Sequence, residues 1–167
     1  TNEDVTSEEL GGADTHASKS GVSHFACENE IEALEKIKQL LSYMPSNCED
    51  EAPMMPYTTG DETRDVLSKI IPENPNQPYD MKEAILKIAD EGGFFETQVS
   101  YAKNIITGFI RIEGSTVGVV ANQPLVLAGC LDIDASKKAA RFIHFCDAFN
   151  IPVLTFVDVP GFMPGTS

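Results

Sequence analysis

The chain has 167 residues, a net charge of −14 and an apolar fraction of 42%, which suits about one folded domain and argues against disorder. Residues 1–100 contain 21 acidic and 7 basic side chains, whereas residues 101–167 contain five of each. This balance excludes the basic surface that nucleic-acid binding requires. No apolar run reaches the roughly 20 residues that span a bilayer, so no membrane span is expected.

The first half of the chain predicts helices joined by irregular segments. Ser7 to Leu10 predict a helical turn that Gly11-Gly12 ends, and residues 14–25 predict a loop or irregular strand. An amphipathic helix is predicted over residues 28–44, with apolar side chains at three- and four-residue steps: Ile31, Leu34, Ile37, Leu40, Leu41 and Met44. Residues 45–79 contain six prolines and predict an extended connector with a helical turn near residues 63–70.

The second half opens with a further helix and a β-hairpin. Asp80, with Glu83 three residues later, predicts a capping box at the start of a helix that Gly92-Gly93 ends. A short strand is predicted over residues 94–98. Two apolar runs, residues 105–112 and 117–122, flank Glu113-Gly114-Ser115 and predict an antiparallel hairpin.

A helix and a last strand complete a β-β-α-β unit. The helix is predicted over residues 134–149, with Asp132 or Asp134 as its cap. One apolar face is expected on it: Ala139, Phe142, Ile143, Cys146 and Phe149. Residues 151–157 are almost all apolar, which predicts a strand of the same sheet that is buried on both faces.

Cysteine and histidine spacing gives no support for a metal site. The four cysteines show no CxxC pattern: Cys27, Cys48, Cys130 and Cys146. Reduced thiols in a cytosol-like compartment are therefore expected. His16 and His24 have no partner at ligand spacing, and His144 lies beside core positions of a predicted helix, where a structural role is favoured.

Two segments that follow predicted strands are candidate ligand loops. Asp158-Val159-Pro160-Gly161 has the DxxG pattern of nucleotide switches, but the chain has no P-loop to hold phosphates. A plain Pro-Gly turn and a ligand-facing turn at a strand end both remain open for it. The segment that begins Asn122-Gln123-Pro124 contains small residues that let a ligand approach the backbone, and a simple loop before a capped helix is its alternative.

Three blocks of sequence, read together, resemble the biotin-dependent acyl-CoA carboxyltransferase family. The first block holds Gly11-Gly12-Ala13-Asp14-Thr15-His16 and Ser20-Gly21-Val22, and the second is Tyr101-Ala102-Lys103-Asn104 with the strand after it. The third runs over residues 117–162 and includes these motifs: Gly129-Cys130-Leu131-Asp132-Ile133, Phe145-Cys146-Asp147-Ala148-Phe149-Asn150-Ile151-Pro152 and Val157-Asp158-Val159-Pro160-Gly161-Phe162. The resemblance covers essentially all 167 residues.

The resemblance implies an α/β, crotonase-like fold in which β-β-α units form a spiral. It implies parts of two tandem domains, with residues 1–76 ending the first and residues 77–167 beginning the second. It also implies a dimer-based hexamer, with the active site between the first domain of one subunit and the second domain of its partner. Because the chain starts at Thr1 and stops after a strand, we expect an internal fragment of a longer protein.

The resemblance also implies a reaction: transfer of carboxyl from carboxybiotin to the α-carbon of propionyl-CoA. Backbone N–H groups of two glycine-rich loops would stabilise the oxyanions. Both loops are expected outside this chain, so no catalytic side chain is assigned within it. The residues expected to line the acyl-CoA/biotin pocket are Asn122, Gln123, Pro124, Leu127, Gly129, Cys130, Pro160, Gly161 and Phe162.

The implied partners are a biotin carboxylase or biotin carrier subunit, on which biotin is carried, with acyl-CoA as the substrate. A transcarboxylase or decarboxylase of methylmalonyl-CoA is one alternative function, and a non-catalytic scaffold for a biotin carboxylase subunit is another. The expected compartment is the cytoplasm, with the mitochondrial matrix as the alternative.

Overall fold

A computed structural model describes residues 4–58, 66–74, 77–91 and 93–163. Its helices are α1 (Ser7–Gly11), α2 (Ala13–Ser18), α3 (Glu30–Leu41), α4 (Met81–Ile88) and α5 (Ile133–Ala148), with a 3-10 turn at Leu127–Gly129. Its strands are β1 (Phe95–Thr97), β2 (Ile105–Ile112), β3 (Ser115–Asn122) and β4 (Val153–Phe156).

The four strands form one mixed sheet in the order β1-β2-β3-β4. Strands β1, β2 and β3 pair antiparallel, and the hairpin register runs from Ile105 opposite Asn122 to Ile112 opposite Ser115. Strand β4 pairs parallel to β3, with Ala121 opposite Phe156. The predicted hairpin and the predicted place of the last strand in the same sheet are confirmed.

A two-residue turn closes the hairpin. Glu113 and Gly114 both adopt positive φ, 50° and 78°, the combination that a primed hairpin turn requires. The Asp90 carboxylate accepts hydrogen bonds from both of their amides, at 3.0 and 2.7 Å. A Cβ on Gly114 would lie 2.2 Å from the carbonyl oxygen of Met55, so only glycine fits there.

Helices cover both faces of the sheet, because alternate residues of β2 and β3 point to opposite sides. One face packs Phe109 and Val120 against Phe142 and Cys146 of α5. The other packs a second cluster against α4: Met81, Ile85, Ile106, Ile110, Val119 and Ala121. The predicted place of Ile143 in the core is wrong, since α5 turns Ala135, Lys138, Phe142 and Cys146 inward and leaves Ile143 exposed.

The prediction that residues 151–157 are buried on both faces is wrong for the described residues. Strand β4 has one neighbour in the sheet, β3, and only Leu154 and Phe156 pack partly against the second cluster. Val153 and Thr155 are exposed, and Val157 is 78% exposed. An apolar strand therefore leaves one open face in this part of the protein.

The helix predicted over residues 28–44 forms over Glu30–Leu41, where the Asn29 side chain accepts hydrogen bonds from the Ile31 and Glu32 amides. Its apolar stripe does not face the core: Ile31 is 70% exposed, and Leu34, Ile37 and Leu41 are also exposed. Leu40 is the partly buried exception. The periodicity correctly predicted a helix, but the surface that would bury its stripe is not formed by the described residues.

Three smaller predictions need correction. A short helix, α2, forms where a loop or irregular strand was predicted. Asp80 is the cap of α4, but its carboxylate accepts a hydrogen bond from the Lys82 amide and does not form the predicted capping box with Glu83. Helix α4 ends at Ile88, ahead of the predicted glycine stop. Gly92 and residues 63–65 lie outside the described residues, whereas residues 66–70, the rest of the predicted helical turn, form helix and turn as predicted. The cap of α5 is Asp132, one of its two predicted candidates.

Candidate functional site

The loops that follow β3 and β4 meet at one edge of the sheet, because parallel neighbours end on the same side. Asn122, the last residue of β3, is buried, and its side-chain oxygen accepts a hydrogen bond from the Asp158 amide at 2.8 Å. Its side-chain Nδ2 donates to the Asp158 carbonyl oxygen. One amide side chain therefore ties the end of β3 to the segment that follows β4.

Backbone hydrogen bonds make a second link between the two loops. Leu131 and Phe162 form an isolated parallel bridge. The Leu131 amide donates to the Gly161 carbonyl oxygen at 3.1 Å, and the Met163 amide donates to the Leu131 carbonyl oxygen at 2.7 Å. The two candidate ligand segments are thus held side by side, and residues 122–130 and 160–163 form the two loops of the candidate site.

Side chains from neighbouring segments fix the loop after β3. The Gln123 side chain donates to the Asp80 carboxylate at 2.7 Å and accepts from the Met81 amide at 3.2 Å. The Asn104 carbonyl oxygen accepts from the Gln123 amide at 2.9 Å, and the Asn104 side chain donates to the Cys130 carbonyl oxygen at 3.0 Å. Both ends of the loop are therefore attached to Asn104, which is itself buried.

The tight path of this loop depends on Gly129. Its φ is 80°, and a Cβ at this position would lie 2.9 Å from the Asn122 side-chain nitrogen and 3.0 Å from the Asp158 carbonyl oxygen. Leu127 and Ala128 before it also adopt positive φ, 52° each. Such left-handed non-glycine residues are uncommon and cost free energy, so the hydrogen bonds around them stabilise a strained turn.

The nine predicted pocket residues divide into two groups. Four are buried, and form the base of the site: Asn122, Gln123, Pro124 and Gly129. The side chains of Asn122 and Gln123 are engaged in the hydrogen bonds described above, which leaves them as supports of the loops. The other five are at least partly exposed at the edge of the sheet: Leu127, Cys130, Pro160, Gly161 and Phe162.

Phe162 dominates the exposed part of the site. Its side chain is 73% exposed, and Leu125, Leu127 and Met163 add further exposed apolar surface. A Cβ on Gly161 would meet nothing within 4 Å, so the backbone beside Phe162 faces open space. The edge can therefore place an apolar wall and accessible backbone against a flat ligand.

Tyr79 orients the carboxylate at the base of the second loop. Its hydroxyl donates to the Asp158 carboxylate at 2.8 Å. Burial, followed by the bond to Asp158 and its charge, raises the pKa of Tyr79 to about 12. The hydroxyl thus remains a donor throughout the neutral and mildly alkaline range.

Sequence reasoning missed Tyr79, Asn104 and the role of Asp80 at this site. Asp80 was predicted only as a helix cap, although its carboxylate also accepts from Gln123. Tyr79 lies in the proline-rich connector, where no spacing signal marks it. Asn104 lies directly before β2 and belongs to one of the blocks that carry the family resemblance, but no spacing in the sequence indicated its buried hydrogen-bonding role.

The described residues contain no group of three or more His, Cys, Asp and Glu that could hold a metal ion. None of their helices is both long and apolar enough to cross a membrane. All four cysteines are free, and burial raises the pKa of the Cys146 thiol to about 12. His144 is exposed on α5, beside the buried Phe142, and its assignment as structural rather than catalytic stays a prediction.

The whole chain matches the model of the carboxyl transferase domain family, over residues 1–167, and it belongs to that family. It is 64% identical over 168 residues to the propionyl-CoA carboxylase beta chain of Cereibacter sphaeroides, covering 99% of this chain and 33% of that protein. It is 55% identical over 170 residues to the methylmalonyl-CoA decarboxylase subunit alpha of Veillonella parvula, covering 100% of this chain and 33% of that protein.

A crystal structure of transcarboxylase 12S, with hydrolysed methylmalonyl-coenzyme A bound, superposes with a TM-score of 0.94 at 46% identity. The match covers 98% of this chain and 32% of that one. The crotonase-like α/β fold is therefore confirmed, whereas the division into domains at residues 76 and 77 stays a prediction. The chain spans about a third of the length of the curated relatives that it matches.

Proposed function

We propose that the chain is part of the carboxyltransferase component of a biotin-dependent acyl-CoA carboxylase, which moves carboxyl from carboxybiotin to propionyl-CoA and forms methylmalonyl-CoA. The observation that carries this proposal is the 64% identity to a propionyl-CoA carboxylase beta chain over 99% of the chain. The joined loops at the edge of the sheet support it, because they form a base of buried amides beneath an exposed apolar wall.

The site residues fit a flat, polar-edged ring such as that of biotin, which carries the carboxyl group on a ureido nitrogen. Phe162 and Leu127 present apolar surface to the faces of such a ring. Gly161 has no side chain to shield its backbone, so its amide can approach the ring edge, while its carbonyl oxygen accepts from the Leu131 amide. The hydrogen bonds of Asn122 and Gln123 fix the loops 122–130 and 160–163 in place before a ligand binds. This favours binding, because less conformational entropy is then lost when the ligand orders the loops.

A second candidate is the use of the same chemistry by a methylmalonyl-CoA decarboxylase or a transcarboxylase. The 55% identity to a decarboxylase subunit alpha and the likeness to transcarboxylase 12S support this alternative. Both candidates need the same site and differ in the donor or acceptor of the carboxyl group. A non-catalytic scaffold for a biotin carboxylase subunit is the remaining alternative.

The proposal includes partners and a location. Biotin is carried on a biotin carboxylase or biotin carrier subunit, and the full-length protein forms a dimer-based hexamer. The hexamer assembly of the transcarboxylase 12S neighbour supports this oligomer. The proposed compartment is the cytoplasm, in line with the bacterial relative, and the mitochondrial matrix is the alternative.

The test is isotope exchange with the purified full-length protein. Labelled propionyl-CoA is incubated with unlabelled methylmalonyl-CoA, with and without free biotin, and label in methylmalonyl-CoA is measured. Biotin-dependent exchange is expected, since carboxyl must pass to biotin and return. Absence of exchange in the presence of biotin refutes a carboxyltransferase and favours the scaffold.

Two additions separate the remaining alternatives. Release of CO₂ from methylmalonyl-CoA with the partner subunits favours the decarboxylase, and net carboxylation of propionyl-CoA driven by ATP and bicarbonate favours the carboxylase. Acetyl-CoA and butyryl-CoA in place of propionyl-CoA report the preferred chain length. A preference for either of them over propionyl-CoA contradicts the proposed substrate.

A further inference from the structure

The ammonium group of Lys138 is buried among backbone carbonyl oxygens. Lys138 lies on α5 and is 1% exposed. Its Nζ donates to the carbonyl oxygens of Tyr101 and Ile105 at 2.8 Å each and of Gln98 at 3.0 Å, and the Ala102 carbonyl oxygen lies 3.4 Å from it. No carboxylate within the described ranges forms an ion pair with it. Neutral carbonyl dipoles therefore replace water around this charge, as they do around bound metal cations.

The path of residues 98–105 depends on these contacts. Gln98 and Ala102 adopt left-handed φ values of 50° and 42°, which are unfavourable for residues with a Cβ. The carbonyl oxygens of both residues point at the same ammonium group. Without a cation, the converging carbonyl dipoles would repel one another, and buried acceptors would lose their donor.

This segment leads directly to the candidate site. Asn104 immediately precedes Ile105 in this segment. Its carbonyl oxygen accepts from the Gln123 amide, and its side chain donates to the Cys130 carbonyl oxygen. Asn104 thus joins the ends of the loop after β3 to a backbone that Lys138 holds. A displacement of residues 98–105 would move both of these anchor points together.

We infer that Lys138 is a positioning residue for the candidate biotin site: its ammonium group acts as a built-in cation that fixes residues 98–105 and, through Asn104, the loop 122–130. The catalytic part of this inference rests on the proposed function. Its structural part concerns the order of two loops and is measured without any substrate.

The test is chemical rescue of Lys138→Ala in the full-length protein. Alanine removes three methylene groups and the ammonium, a gap with the shape of propylammonium. Amide exchange of residues 98–105 and of Gln123, and the apparent KM for free biotin in the exchange assay, are measured with and without propylammonium. Without propylammonium, we expect Lys138→Ala to raise the amide exchange rates and the apparent KM for biotin about tenfold or more over wild type. This is the ratio that corresponds to the loss of one charged hydrogen bond.

Propylammonium is expected to restore both values. Tetramethylammonium, a cation without N–H donors, and 1-propanol, a neutral molecule of similar length, are expected to restore neither. Lys137→Ala is the matched control on the same helix, because Lys137 is exposed and its Nζ lies 3.5 Å from Asp134. It should leave amide exchange and KM unchanged.

Equal rescue by 1-propanol would overturn the inference, since it would reduce Lys138 to a packing role. A wild-type exchange rate at Gln123 in a variant whose residues 98–105 have loosened would overturn the link through Asn104. If Lys138→Ala does not fold, Lys138→Met fills most of the space without the charge. Faster amide exchange confined to residues 98–105 and the loop 122–130 then supports the inference. A uniform rise in exchange over all four strands contradicts it. If wild-type protein shows no carboxyl exchange, the proposed function fails, while amide exchange and its rescue still decide the role of Lys138.

Discussion

The side chain of Asn122 forms paired hydrogen bonds with the backbone of Asp158, 36 residues away: its oxygen accepts from the amide at 2.8 Å and its nitrogen donates to the carbonyl oxygen. Only an amide side chain supplies a donor and an acceptor in this arrangement. The contact joins the ends of β3 and β4, so it sets the separation of the two loops that form the candidate site.

Asn122→Asp is expected to weaken this contact, because a carboxylate keeps the acceptor but repels the Asp158 carbonyl oxygen. The cost of the unsatisfied buried acceptor is about 1–3 kcal/mol. In the full-length protein we expect a lower melting temperature and a higher apparent KM for biotin. Asn150→Asp is the control, since Asn150 also donates to a backbone carbonyl, that of Cys48, but is exposed. An effect of equal size in both variants would contradict a special role for Asn122.

Phe162→Ala is expected to raise the apparent KM for biotin, or for its carrier, more than that for propionyl-CoA. The side chain is largely exposed, so little packing is lost and the melting temperature should change little. Steady-state kinetics of the full-length enzyme with each substrate varied in turn make the measurement. Ile143→Ala, which removes another exposed apolar side chain, serves as the comparison. A larger effect on propionyl-CoA would assign residues 160–163 to the acyl-CoA side.

Stability should depend on pH through Lys138. Burial lowers the pKa of Lys138 to about 8 from its ordinary value of 10.5, with Glu96 opposing the shift and Lys82 adding to it. The unfolded chain then holds more protons between these values, so the cost of burying the charge is present below pH 8 and is relieved as the pH rises towards 10.5. The relief amounts to about 3 kcal/mol at most.

The measurement is the melting temperature of the full-length protein and of Lys138→Met at pH 7 and pH 9.5. Wild type should gain stability relative to the variant at the higher pH, since the other titrating groups are common to both. A relative loss would show that the carbonyl oxygens raise the pKa of Lys138 instead of leaving it lowered.

Residues 1–167 produced alone are expected to fold poorly. The stripe of α3, the open face of β4 and the segment after β4 leave large apolar side chains exposed, among them Ile31, Leu34, Val157 and Phe162. Exposed apolar surface of this extent is normally covered by other parts of a protein or by partners, and when uncovered it drives association. Size exclusion and thermal melting make the test. A monomer with a cooperative transition would contradict the expectation.

Local patterns predicted the elements of the second half well. The two apolar runs around Glu113-Gly114 predicted the hairpin, and Asp132 was among the predicted caps, because strand period and capping act within a few residues. The two loops were predicted as candidate ligand loops because each follows a predicted strand, where ligands of α/β sheets bind. Each of these signals is contained in a short window of sequence.

The remaining features depend on contacts between distant residues, which no window contains. The exposed stripe of α3 and the open face of β4 reflect surfaces that the described residues do not supply. Asn122 and Gln123 were predicted to line the ligand pocket. Their side-chain amides instead form hydrogen bonds with Asp158 and with the start of α4. In the sequence, Lys138 is one charged residue of a predicted helix and carries no special signal. The four carbonyl oxygens around its ammonium group are seen only in the folded backbone.

The parallel register of β3 and β4 makes the site sensitive to insertions and deletions in a position-dependent way. Ala121 lies opposite Phe156, so Asn122 and Asp158 each follow a paired residue by a fixed number of backbone steps. One residue inserted within β4 would shift Asp158 by about 3.3 Å and turn each later side chain to the opposite face. The same insertion in the exposed loop around Leu125 would leave that pairing intact. Natural variation in length should therefore concentrate outside the two strands, where it can alter the shape of the ligand site without uncoupling its halves.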